Sequence, residues 1–121
     1  MIIGTGIDIV EIQRIKDTYR RKPAFAKRIL TNHEFETFAS LSEKRKIEFL
    51  AGRFAVKEAY SKALGCGIGK DLSFQDIEIR SEERGKPCIY AREKAKEQEV
   101  HVSITHTREY AAAQVIIESI H

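Results

Sequence analysis

Cysteine is scarce in this chain and follows no pattern. Cys66 and Cys88 stand 22 positions apart with no CxxC or Cys/His spacing, which speaks against a zinc site and gives no support to a disulfide. A reducing, cytoplasmic setting fits best. No apolar run approaches membrane-spanning length. The first ten residues, MIIGTGIDIV, are apolar, but they hold Asp8 and two glycines and lack a basic leader. A strand is expected there rather than a signal peptide. Internal repeats and low-complexity linkers are also missing.

What is present fits one globular domain over 1–121. The 42% apolar and 32% charged residues are ordinary for a folded soluble chain. The net charge of +3 is unevenly spread. Between Gln13 and Arg28 seven basic residues face a single acid, Asp17, so that segment carries +6 and the rest −3. Charge concentrated in this way attracts partners of opposite sign and speeds their encounter. It suits a solvated helix face, or a docking surface for an acidic protein, a nucleic acid or an anionic membrane.

Ile3, Ile7 and Ile9 alternate with Gly4, Gly6 and Asp8, a period of two that predicts a strand with a crowded apolar face and Asp8 among the glycines. A helix is expected from Val10 to Tyr19, and Pro23 suits the first turn of a second through Leu30. Thr31 and Glu34 form a capping box for a third. Ser42 can cap the longest, Glu43 to Leu64, which stops at Gly65. Strands follow near Phe74 to Arg80 and Pro87 to Ala91, around a turn at Glu82 to Lys86. A short polar helix is expected at Arg92 to Glu99. Two final strands, His101 to Thr105 and Tyr110 to Glu118, form a hairpin around HTRE. The last strand is apolar on both faces (Ala111, Ala113, Val115 and Ile117; Ala112 and Ile116), which a small domain rarely covers alone. A homo-oligomer is therefore expected.

The segment FAVKEAYSKALGCGIG puts Glu58 in an awkward place. On a helical wheel Ile47, Leu50, Ala51, Phe54 and Ala55 form one stripe, and Glu58 falls within about 20° of Ile47. Phe49, Val56, Tyr60 and Ala63 lie opposite, with Arg53 and Lys57 between, so the helix is expected to be gripped on two sides. An unpartnered buried carboxylate costs several kcal/mol. Lys62, one turn on, is one compensation. A divalent cation shared with a second oxygen ligand is another, and Asp8 is the candidate. Mg²⁺ commonly takes only one or two protein carboxylates and leaves its other positions to water and phosphates. The glycines after the helix could let a phosphate approach the backbone, but there the helix dipole opposes an anion. Neutralisation would have to come from the metal and Lys62.

Three segments together, GIDIVEI, GRFAVKEAYSKALGCGIG and HVSITHT, resemble the bacterial holo-acyl-carrier-protein synthases, the small phosphopantetheinyl transferases. LSFQDIEI and the GKP turn extend the resemblance over essentially the whole chain. It implies an α+β fold with a mostly antiparallel sheet packed against a long central helix, and a trimer with active sites between subunits. It also implies transfer of 4′-phosphopantetheine from coenzyme A to a serine of the acyl carrier protein, leaving adenosine 3′,5′-bisphosphate. Asp8 and Glu58 would hold Mg²⁺ with the coenzyme A diphosphate, and Lys62 would contact that phosphate. Ser61 and Gly65 count as binding residues by their position beside Lys62. Arg14, Arg21 and Arg28 would meet the acidic carrier. Gly85, Lys86 and Pro87 would approach the nucleotide of a neighbouring subunit. Thr105 stands where many members have serine and keeps the hydroxyl.

These residue types suit the chemistry, since phosphoryl-type transfer needs charge neutralised and the reacting oxygens held in line. Lys62 can stabilise charge on the leaving bisphosphate. The serine proton goes to Glu58 or to a metal-bound water. Arg53 meets the 3′-phosphate or makes a surface ion pair, and His106 is structural or contacts ligand. A rival reading is a nucleic-acid-binding module using residues 13–28, although that segment lacks the aromatics of a stacking platform. A second rival is a structural oligomer in which Glu58 merely pairs with Lys62.

Overall fold

A computed structural model of the chain describes residues 1–91 and 97–120. Strand β1 (Ile2–Glu11) leads into α1 (Ile12–Arg21), α2 (Ala24–Ile29), α3 (Asn32–Ala39) and the 22-residue α4 (Glu43–Leu64). A single 3₁₀ turn, Phe74–Asp76, precedes β2 (Ile77–Ser81) and β3 (Pro87–Ala91); β4 (Gln98–His106) and β5 (Tyr110–Ser119) complete the chain. The strands form two antiparallel sheets, one in the order β1-β5-β4 and one of β2 and β3. The α+β class and antiparallel sheets expected from the sequence are borne out.

Local chemistry explains most boundaries. Thr31 Oγ1 accepts from Glu34 N, while Glu34 accepts from Thr31 N, closing the expected capping box. Gly65 ends α4 in the left-handed conformation at φ 84°, where a Cβ would be strained. The β4–β5 turn is held by Thr107, whose hydroxyl accepts from the backbone N–H groups of Glu109 and Tyr110.

Five expectations need correction. Ser42 takes the N-cap position of α4 but makes no capping side-chain bond. Phe74 to Asp76 is not strand, because Asp76 caps back onto Ser73 and winds these residues into a turn. The Arg92 to Glu99 helix falls partly on residues 92–96, outside the described residues, and Gln98 and Glu99 belong to β4. Val10 and Glu11 stay in β1, so the first helix begins at Ile12 and not at Val10. The isoleucine face of β1 is left outside the core, with Ile7 and Ile9 66% and 64% exposed. The glycine face packs instead. A Cβ at Gly4 or Gly6 would drive into the carbonyl oxygen of Ala63 or Ala59, so only glycine lets β1 lie this close on α4.

Helix α4 is gripped on both sides, as expected. Ile47, Leu50, Ala51 and Ala55 are buried, and so are Val56 and Tyr60 on the other stripe. On β5 the odd-numbered residues from Ala111 to Ile117 are buried, while Ala112 and Ile116 are only half-buried beside Ile9 and Thr5. One apolar face of this sheet therefore stays open in the single chain.

Candidate active site

The close approach of β1 to α4 sets the site. Gly4 meets the turn of Ala63 and Gly6 the turn of Ala59. Two residues further along the strand, the same face presents Asp8 to the preceding helical turn. Asp8, Arg14, Phe54, Glu58 and Tyr110 help to line one cavity of about 260 Å³. Lys62 leans back toward it, as helical side chains do. Its Nζ donates to Asp8 Oδ1 at 3.0 Å and to the Ile7 carbonyl at 3.1 Å. The expected candidates Asp8, Glu58 and Lys62 are thus brought together from opposite ends of the first half of the chain. Lys62 pairs with Asp8, not in the local Glu58 pair that helical spacing suggests.

Glu58 is half-buried, and among the described residues no hydrogen bond reaches its carboxylate. Burial and the Asp8 charge push its carboxyl above the ordinary glutamate value of 4.5, against the pull of Lys62. Two carboxylates that repel one another in a shared cavity are suited to a hard divalent cation, so the donor set fits Mg²⁺.

A second group of candidates lines a different cavity of about 450 Å³, which shares no residue with the first. Arg45, Glu48, Arg53 and His106 face it. Arg53 stacks its guanidinium over Phe49 at 4.2 Å, and its buried Nε finds no partner among the described residues. Burial lowers its pKa, and the Glu34 charge partly restores it. His106 Nε2 lies 3.8 Å from Glu48. Arg45 was missed in the sequence, although Arg45, Glu48, Phe49, Gly52 and Arg53 follow the i, i+3, i+4, i+7, i+8 spacing of one helical face.

The remaining candidates are spread out. Gly85 turns the β2–β3 hairpin at φ 79°, with exposed Lys86 and half-buried Pro87 beside it. Gly65 is exposed beyond α4. Ser61 is fully buried, and its hydroxyl donates to the Glu58 carbonyl, so it acts first on its own helix. Exposed Arg14 and Arg21 lie on α1 and Arg28 on α2; of the three, only Arg14 also lines the Asp8 cavity.

Lys57, placed between two stripes by the wheel, is fully buried. Its ammonium donates to Glu34 at 2.7 Å, to Ile29 O at 2.6 Å and to Phe74 O at 3.1 Å. Glu34 also accepts from Ile79 N at 2.7 Å. This pair ties α2, α3 and β2 to the helix that carries Glu58. A groove of about 820 Å³ adjoins both cavities, sharing Glu11 and Tyr110 with the first and Glu48 with the second; its walls mix Lys16, Lys44 and Arg108 with Glu11, Glu43, Glu48 and Glu109, so no one sign of charge collects there. On β4 and β5, exposed Glu99 and His101 and half-buried Glu118 bring their ligand atoms within 4.8 Å of one another, apart from the Asp8 cavity.

Residues 4–115 match the family model described as the 4′-phosphopantetheinyl transferase superfamily. The chain belongs to that superfamily. It is 61% identical over 118 residues to proteins from Bacillus pumilus and Bacillus subtilis, each named holo-[acyl-carrier-protein] synthase, covering 98% of this chain and 97% of each relative. Its fold is similar to a solved holo-(acyl-carrier-protein) synthase from Bacillus anthracis in complex with CoA (3′,5′-ADP), with a TM-score of 0.90, 50% identity and 98% coverage of both chains. A Helicobacter pylori holo-[acyl-carrier-protein] synthase in complex with coenzyme A matches with a TM-score of 0.82 and 38% identity, over 94% of this chain and 99% of that one. The resemblance read from the sequence motifs is borne out. Among the described residues no helix is long and apolar enough to cross a membrane.

Proposed function

We propose that this transferase moves 4′-phosphopantetheine from coenzyme A to a serine hydroxyl of an apo acyl carrier protein, leaving adenosine 3′,5′-bisphosphate. The observation that carries the reading is the meeting of Asp8 and Glu58 at one cavity, with Lys62 paired to Asp8, in a chain of this superfamily. Asp8 and Glu58 would hold Mg²⁺. When bound, the ion supplies Lewis-acid neutralisation of the diphosphate and a template for in-line displacement. Lys62 offsets charge growing on the leaving bisphosphate, and its half-exposed stem gives it the reach. Glu58, at the cavity wall beside Asp8, is placed to accept the serine proton.

Arg53 suits the 3′-phosphate of coenzyme A. Its buried Nε is an unused donor, and Arg45 and His106 add positive or hydrogen-bonding groups to the same cavity. The turn of Gly85, Lys86 and Pro87 would approach the nucleotide, with Ser61 and Gly65 beside Lys62 on the diphosphate side. Because the two cavities share no residue, the reading includes an active site completed by a neighbouring copy. A homotrimer is the assembly proposed, and the open face of Ile7, Ile9, Ala112 and Ile116 supports it. Arg14, Arg21 and Arg28 would dock the acidic carrier, in one domain acting in the cytoplasm. No observation favours nucleic-acid binding by residues 13–28.

The test is to incubate the protein with an apo carrier, coenzyme A and Mg²⁺ and to weigh the carrier. The expected result is a mass gain of one phosphopantetheine that disappears with EDTA. No gain, or a gain indifferent to EDTA, would overturn the reading.

A further inference from the structure

Asp8 is already engaged, whereas Glu58 is not. The Lys62 ammonium sits 3.0 Å from Asp8 Oδ1, and the Ile7 carbonyl holds it from the side at 3.1 Å. No hydrogen bond reaches the Glu58 carboxylate among the described residues. Lys62 is about half exposed, at 51%, while Asp8 is at 16%. The flexible stem therefore can move, and the carboxylate it covers cannot move far. Beyond Lys62 the chain opens into Gly65, Gly67 and Gly69, where nothing lies within 4 Å of the space a Cβ would take. The ammonium thus has an anchored position against Asp8 and open space one turn further on.

From this arrangement we infer that Lys62 is an exchangeable counter-ion built into the metal site. Asp8 holds the ammonium in the substrate-free protein and gives it up when a divalent cation takes the same oxygen. The freed ammonium then turns toward the glycine-rich exit, where a phosphate would lie. The inference rests on the transferase reading and adds an order to it. Lys62 opposes the cation while coenzyme A is absent, because two positive groups compete for one carboxylate. A phosphate that draws Lys62 away removes that opposition. By linkage, coenzyme A raises the affinity for the cation, and the cation raises the affinity for coenzyme A by the same factor. Stored positive charge also offsets part of the repulsion between Asp8 and Glu58 before either substrate arrives.

The experiment measures Mn²⁺ binding by water-proton relaxation, with and without coenzyme A, for the wild-type protein and Lys62→Met. Methionine keeps much of the side-chain length and removes the charge. Asp8→Asn supplies the blank for ions bound elsewhere, including at Glu99, His101 and Glu118. Without coenzyme A, Lys62→Met binds Mn²⁺ about three- to fivefold more tightly than wild type, the worth of one partly exposed ion pair. Coenzyme A then tightens Mn²⁺ binding more in wild type than in the variant. Equal or weaker binding by substrate-free Lys62→Met overturns the counter-ion role while leaving the ion site standing. If wild type and Lys62→Met both match the Asp8→Asn blank in both conditions, the ion site itself falls, and the exchange with it.

Discussion

Gly6 on β1 lies against the carbonyl of Ala59 on α4 so closely that no side chain fits between them. This contact brings Asp8 to the turn of Glu58, so it is part of the site although it touches no reacting atom. Gly6→Ala forces the strand off the helix. The expected cost is about 1–3 kcal/mol or more of stability, as for other overpacked contacts, together with loss of transfer activity in the fraction that folds. Chemical denaturation and a turnover assay check both. An active Gly6→Ala protein of unchanged stability would show that the strand and helix need not touch.

Glu58 makes the ion-free protein sensitive to pH in a definite direction. Its folded-state value is raised above 4.5 by burial and by Asp8, so the folded chain holds this proton where the unfolded chain has lost it. Its contribution to stability is fully present below the unfolded value and is lost as pH rises through the folded one. In EDTA across that range, the unfolding free energy of wild type relative to Glu58→Gln should fall as pH rises, and a difference that does not change with pH would contradict this.

The buried Lys57–Glu34 pair is expected to be costly to break and cheaper to replace. Lys57→Met leaves the Glu34 carboxylate buried without its counter-ion, for a loss of about 3–5 kcal/mol. Combining Lys57→Met with Glu34→Gln removes both charges and should recover part of that loss. Urea midpoints of the two variants decide the matter, and a double variant weaker than the single would contradict it.

Arg14 and Arg21 separate docking from chemistry. Arg21 is exposed and away from the cavity, so Arg21→Glu should raise the KM for carrier on the order of tenfold, reduce its salt dependence and leave kcat near wild type. Arg14 shares the cavity with Asp8, Glu11 and Glu58, and Arg14→Glu adds a fourth acid there, lowering kcat as well. Steady-state kinetics at two salt concentrations distinguish the pair.

The legibility of the sequence followed the range of the forces. The ends of α4, the Thr31–Glu34 box and the β4–β5 turn are set within a few residues, and they were readable. The Ser73–Asp76 turn was equally local, but the apolar residues after it resembled a continuous strand. Long-range partners were harder. Lys57 meets Glu34 across 23 positions, and Lys62 meets Asp8 across 54, where helical spacing pointed only to Glu58. The isoleucines of β1 have the alternation of a core face, yet in one chain they face outward, because the glycines opposite allow the helix closer approach.

The central claim is that Asp8 and Glu58 serve one divalent ion in the transfer. It is tested most directly by following carrier modification with coenzyme A and saturating Mg²⁺ in wild type, Asp8→Asn and Glu58→Gln. Each variant should lose more activity than the roughly 10–100-fold cost of removing a residue that only supports a metal ligand, with folding intact by circular dichroism. Transfer at the wild-type rate by either variant would contradict the account.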